Sequence, residues 1–167
     1  GIKPFSTVTP DSRYYWDGAY TIDATGDEVV GTYAGTARDV ATLKTSMLEK
    51  TNSAAASRHA VIDWYWTRAS KGGTAVPSNI ATYATALYSE HETIKTAIAA
   101  LDTLAKIITY ENKPHTETRK VKNTAEDGTV TYGPATTTHT REIDMCTHFT
   151  ANPTDTVDPA FVSLVAD

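Results

Sequence analysis

The stretch IDWYWTRASKGGTAVPSNIATYATAL, Ile62 to Leu87, joins two helical patterns through one short turn marked by Gly72 and Gly73. Pro77 followed by Ser78 reads as the start of the second helix, because proline lacks only an N–H that the first helical turn leaves unused. Beyond it, apolar residues return every seventh position as Ile80, Leu87, Ile94, Leu101 and Ile108. That spacing keeps one stripe of a helix against a partner. Before the turn, Val40, Leu43, Met47, Ala54, Val61 and Trp64 fall on a similar stripe, interrupted by Lys50 and Ser57. No proline lies between Pro10 and Pro77 or between Pro77 and Pro114, so helix can run unbroken through both windows. The expected fold class is α+β but mainly α, elongated. Its centre, residues 32–110, is expected to be a long antiparallel helical hairpin of coiled-coil character, with short β segments at both ends.

Helices from about Tyr33 to Ala69 and from Ser78 to about Ile108 would be roughly 45 to 55 Å long, well beyond the usual three or four turns. Trp64 and Trp66 stand about 200° apart on such a helix, so one partner cannot cover both. A second contact surface is required, and the heptad spacing favours a neighbouring subunit. The expectation is a homo-oligomer, a trimer among the options.

Residues 1–31 read as an extended docking segment. Within it Arg13–Asp23, RYYWDGAYTID, is aromatic and β-branched with a turn signal at Asp17-Gly18, which predicts a short strand or hairpin. Residues 111–167 read as a β-hairpin, a strand and an apolar tail. The hairpin is expected from Glu117–Val121 and Thr129–Tyr132 around Asp127-Gly128. Along Arg141–Phe149, Ile143, Met145 and Phe149 alternate with Glu142, Asp144, Cys146 and His148, which predicts a half-buried strand. Asn152–Pro159 reads as a loop, and Phe161, Val162, Leu164 and Val165 as a tail that docks on a neighbour.

The chain of 167 residues is 40% hydrophobic and carries 30 threonines. Such a composition predicts a thin core and suits an elongated or oligomeric protein. A formal net charge of -5 argues against a phosphate-neutralising surface, so nucleic acid is not an expected partner. The single Cys146 cannot form an internal disulfide, so the fold does not depend on oxidising conditions and an intracellular folding site is implied. No window approaches the eighteen or so apolar residues of a membrane span, and the amino terminus lacks the layout of a signal peptide. The expectation is a soluble chain made in a cytoplasm, with no membrane partner.

Chemistry is sparse. His115, His139, Cys146 and His148, with Glu142 and Asp144 nearby, resemble a metal set in residue type only. Alternate residues on a strand stand about 6.5 to 7 Å apart, and no C-x-x-C or H-x3-H spacing is present. A solvated polar face accounts for them. His59 and Asp63 share a helical spacing of four, as do Trp64 and Arg68, where the guanidinium can lie on the indole. Gly26, Gly31 and Gly35 have no phosphate-loop spacing, and G-x-S-x-G is absent. The acids preceding Cys146 would raise its pKa. No catalytic residue, cofactor site or metal site is expected, and the chain does not read as an enzyme. The aromatics Tyr14, Tyr15, Trp16 and Tyr20 suit stacking on a sugar or, more plainly, packing of a strand on another chain.

With Asp63-Trp64-Tyr65-Trp66-Thr67-Arg68, the turn ending Thr74-Ala75-Val76-Pro77 and the following Tyr83, the segment from Arg58 to Leu104 resembles the helical-hairpin segment of bacteriophage tail-associated and tail-assembly proteins, including those of marine cyanophages. In that family an Asp-Trp near the end of one helix precedes a polar turn, a Pro and a helix with a Tyr-Arg pair. This chain departs from the pattern at Ile62, where the family has Thr or Ser, at Ala55, where it has a basic residue, and at Ala84, which replaces the arginine. The resemblance implies a structural protein of a virion tail, at a fibre, baseplate or neck junction, with other tail proteins as partners. A tail assembly chaperone and a receptor- or glycan-binding module are the alternatives. The residues expected to carry assembly and packing are Trp64, Trp66, Arg68, Ile80, Leu87, Ile94 and Leu101 in the shaft, and Tyr14, Tyr15 and Trp16 for docking.

Overall fold

A computed structural model gives the fold over residues 2–156 and 158–167; Gly1, and Val157 in the loop read at Asn152–Pro159, lie outside the described residues. In chain order the elements are β1 Phe5–Val8, β2 Tyr15–Asp23, β3 Val29–Ala37, α1 Val40–Ser70, α2 Ser78–Ala99, α3 Leu104–Glu111, β4 Lys113–Thr124, β5 Val130–Ile143 and β6 Phe161–Ala166. The expected mainly-α class, a long helical hairpin with β appendages, is overturned. Three helices stand beside six strands in two three-stranded sheets, and helix and strand take 37% and 33% of the chain.

Local chemistry explains the difference. Val29–Ala37, VVGTYAGTA, is β-branched and aromatic, and it pairs as β3 instead of opening the first helix. The expected boundary between residues 31 and 32 falls inside this strand. Asp39 then caps α1, its carboxylate accepting the Thr42 amide at 2.8 Å and satisfying one of the free donors of the first turn. The second helix stops at Ala99 instead of running to Ile108. Thr103 is extended, with φ −133° and ψ 152°, and its hydroxyl accepts the Lys106 amide at 3.4 Å, starting α3 as a separate helix.

α1 and α2 lie antiparallel: the Lys44 ammonium donates to the Ala99 carbonyl at 2.6 Å, and Asn52 meets His91 at 2.8 Å. Gly72 makes the turn between them with φ +82°, a conformation costly for residues with a Cβ. The amides of Gly72 and Gly73 return to the carbonyls of Ala69 and Arg68 at 3.1 and 3.0 Å, satisfying two of the carbonyls left free at the helix end. The core lies between the helices. α1 contributes Met47, Thr51, Ala55 and Ile62, and α2 contributes Ile80, Tyr83, Ala84, Leu87, Ile94 and Ile98. Leu101, Ile107, Tyr14, Cys146 and Phe149 complete it.

The pair is not a coiled coil. The buried positions of α1 advance in steps of four, four and seven, longer per turn than the 3.5-residue repeat of a heptad seam, which itself drifts about 20° per repeat on a straight helix. Val61, on the heptad, is therefore 55% exposed, while Ile62 is 1% exposed.

The first sheet has the order β1-β3-β2, with β1 parallel and β2 antiparallel to β3. Asp17-Gly18 is not a turn: β2 runs through it with a bulge between Asp17 and Tyr20. The second sheet has the order β5-β4-β6, with both neighbours antiparallel to β4. β4 and β5 form strands of 12 and 14 residues around Asp127-Gly128, where Gly128 has φ +82°. Pro134, which has no N–H for the ladder, sits where the register shifts. The strand expected over Arg141–Phe149 ends at Ile143, because the Asp144 side chain and carbonyl take the amides of Cys146 and Thr147 at 2.9 and 3.1 Å and close a turn. The apolar tail, expected to dock on a neighbour, is β6 and pairs with β4 of its own chain.

Neither sheet has a fully covered face. Every residue of β2 after Tyr15 is exposed, and so is almost all of β5. The chain exposes 10740 Å², against about 8,000 Å² for a compact monomer of 18.0 kDa. The excess is about 2,700 Å².

Candidate functional site

Where α1, α3 and the turn after β5 meet, Glu111, Asp144 and Cys146 place their ligand atoms within 4.8 Å of one another, the one such group among the described residues. The Lys50 ammonium already lies between the two carboxylates, 2.8 Å from each. Burial works to lower its pKa, but the hydrogen bonds to Asp144 and Glu111 outweigh that and hold it above the ordinary lysine value. Burial first, and the Asp144 charge second, push the Cys146 thiol up to about 12. With the ammonium seated between the two carboxylates, this cluster acts as a clasp joining α1 and α3 to the turn after β5.

The histidines singled out by type do not converge with Cys146. His115 and His148 lie with ring centres 5.7 Å apart and planes tilted by 52°. Burial, then the nearby His115, holds His148 below the ordinary histidine value. His139 stands instead 3.3 Å from Glu117. Sequence reasoning passed over Glu117, which is 3% exposed and also holds Arg119 at 2.6 Å and Arg141 at 3.5 Å. The Arg119 hydrogen bond, the largest lowering influence, keeps its carboxyl below the usual value. The signal was the i, i+2 spacing of Glu117 and Arg119, which puts opposite charges on one face of a strand. His59 stacks on Tyr88 of α2 with centroids 4.4 Å apart. The two rings, with Asp63 and Trp66, line an open cavity of about 430 Å³.

The expected packing residues divide sharply. Ile80, Leu87, Ile94 and Leu101 are buried in the chain's own core. Trp64 and Trp66 remain 50% and 40% exposed, and the Arg68 guanidinium lies 4.7 Å from the Trp64 ring centre. Of the docking aromatics, Tyr14 is 1% exposed, its hydroxyl accepting a hydrogen bond from Asn112 at 2.9 Å. Burial pushes that phenol up to about 12. Tyr15 is half-buried over Gly35, and Trp16 is exposed with the Arg38 guanidinium 3.6 Å from its ring centre.

The first sheet holds the other aromatic grouping. Tyr20 pairs with Tyr33 across the ladder, with ring centres 4.6 Å apart. The hydroxyl end of its ring lies over Gly31, where a Cβ would collide with it. Ile22 is opposite Gly31, and Phe5 opposite Val29, so both share that face. The larger apolar hollow of about 720 Å³ lies elsewhere, between α2, the turn after β5 and β6, and separates the core from the second sheet.

Searches with the chain matched no protein-family profile, no curated protein and no solved structure. No helix among the described residues is long and apolar enough to cross a membrane.

Proposed function

We propose that the chain is an assembly subunit, a structural component of a phage tail that works as a homo-oligomer in contact with other tail proteins. The observation that carries this reading is the surface excess of about 2,700 Å² over a compact monomer, together with two sheets whose faces stand open. A three-stranded sheet without a packed face contributes little stability alone, and its cost is offset when another surface covers it. The helical core supplies a rigid base, and the threonine-rich strands supply free edges for backbone pairing with neighbours. The tail context rests on the Asp63-Trp64 to Tyr83 resemblance.

Quantitative mass spectrometry of purified tailed particles carrying the gene tests the placement. The expected result is the chain at a whole-number ratio to a major tail protein. Absence from finished particles, with presence in assembly intermediates, would favour the chaperone alternative. The glycan-binding alternative depends on Trp16, whose ring already carries the Arg38 guanidinium on one side.

A further inference from the structure

We propose that the face of the first sheet bearing Phe5, Tyr20, Ile22 and Tyr33 is covered by a second copy of this chain; the proposal deepens the assembly reading above and rests on it. Strict alternation from Trp16 would place Tyr20 and Ile22 on the indole's face. The bulge between Asp17 and Tyr20 shifts the phase by one, so that Tyr20 pairs with Tyr33 and Ile22 with Gly31. The apolar residues of β2 are thereby gathered with Phe5 of β1 onto one surface. Phe5, Ile22 and Tyr20 are 59%, 63% and 42% exposed there.

Gly31, having no Cβ, makes room on this surface for Tyr20, whose hydroxyl end lies over the glycine. Exposed apolar residues gathered on one sheet face are what a neighbouring sheet covers well.

Two observations select a second copy as the occupant. The first is area. An obligate homodimer hides about 1,000 to 2,500 Å² per protomer, and the excess of about 2,700 Å² on this chain is enough for such an interface. The second is charge. The chain carries a net -5, yet among the charged residues of β2 and β3 only Asp17 shares the face, by its pairing with Gly35. Two identical faces can therefore meet with little like-charge repulsion, which the acidic remainder of the molecule would oppose. In a two-fold arrangement the same residues supply both sides, as an isologous contact requires.

The test is the mass of the purified chain by sedimentation equilibrium, with variants Ile22→Glu and Thr36→Glu. Thr36 pairs with Trp16 and so lies on the opposite face. Wild type and Thr36→Glu are expected at a multiple of 18.0 kDa, and Ile22→Glu at the single-chain mass with an unchanged circular dichroism spectrum. A monomeric wild type overturns the proposal. So does an Ile22→Glu oligomer, which would leave the assembly reading standing with another face as the contact. Should Ile22→Glu fail to fold, Ile22→Cys replaces it, because Cys146 is buried and the new thiol is the one open to reagent. Maleimide labelling at position 22 is expected to be roughly tenfold or more slower than in Thr36→Cys, since a packed interface core excludes solvent. Equal rates overturn the proposal.

Discussion

The Lys50 ammonium on α1 lies 2.8 Å from the Asp144 carboxylate in the turn after β5, although 94 residues separate them. Glu111 at the end of α3 holds the same ammonium at 2.8 Å. One positive charge thus ties three parts of the chain together, and removing it leaves two carboxylates facing each other beside a buried thiol.

Lys50→Met is expected to lower stability at neutral pH by about 1 to 2 kcal/mol, a modest figure because the side chain is 44% exposed and solvent screens the pair. Urea denaturation measures it. The sign of its pH dependence follows from the raised lysine pKa: the stabilisation is complete below the unfolded value of 10.5 and fades as pH rises through the higher folded value. A loss that stays equal from neutral to high pH would show that Lys50 acts through packing alone.

Cys146 should be inert in the native protein and reactive once unfolded. It is fully buried, and its thiol ionises only near 12 instead of the ordinary 9. An unfolded chain therefore releases the thiol proton from about 9, the folded chain not until about 12, and stability falls as pH rises through that window. Ellman's reagent is expected to titrate one thiol in urea and none on the same timescale in buffer. Fast reaction in buffer would place the turn after β5 in an open state.

Truncation should separate the core from the exposed tryptophans. Leu87 is 0% exposed at the centre of the helix pair. Leu87→Ala is expected to cost about 2 to 5 kcal/mol, read from the urea midpoint. Trp66, at 40% exposed, should cost no more than about 1 kcal/mol on the same substitution in the monomer. A Trp66→Ala loss as large as that of Leu87→Ala would mean that the indole is covered in solution.

Some of this was legible along the chain. The α2 stripe could be read because Ile80, Leu87 and Ile94 recur on one face within a short helix, where heptad drift stays inside a wide apolar face. On the 31-residue α1 the same reading failed by one position at Ile62, since the drift there accumulates past the edge of a narrow stripe. Glu117 escaped notice because, apart from Arg119 two positions along its own strand, its neighbours His139 and Arg141 reach it only through the β4–β5 register.

What the residues determined by themselves is therefore local: the Gly72 turn, the Pro77-Ser78 helix start, the Asp127-Gly128 reversal and the setting of Cys146 among acids. Each depends on groups a few positions apart, whose geometry the backbone nearly dictates. Tertiary structure alone decided that Val29–Ala37 would lie between β1 and β2, that β6 would return to β4, and that the bulge in β2 would turn Tyr20 and Ile22 onto the face of Tyr33. Those outcomes depend on pairing with a distant strand, and a register shift of one residue, which no local pattern encodes, moves every side chain beyond it to the other side of the sheet.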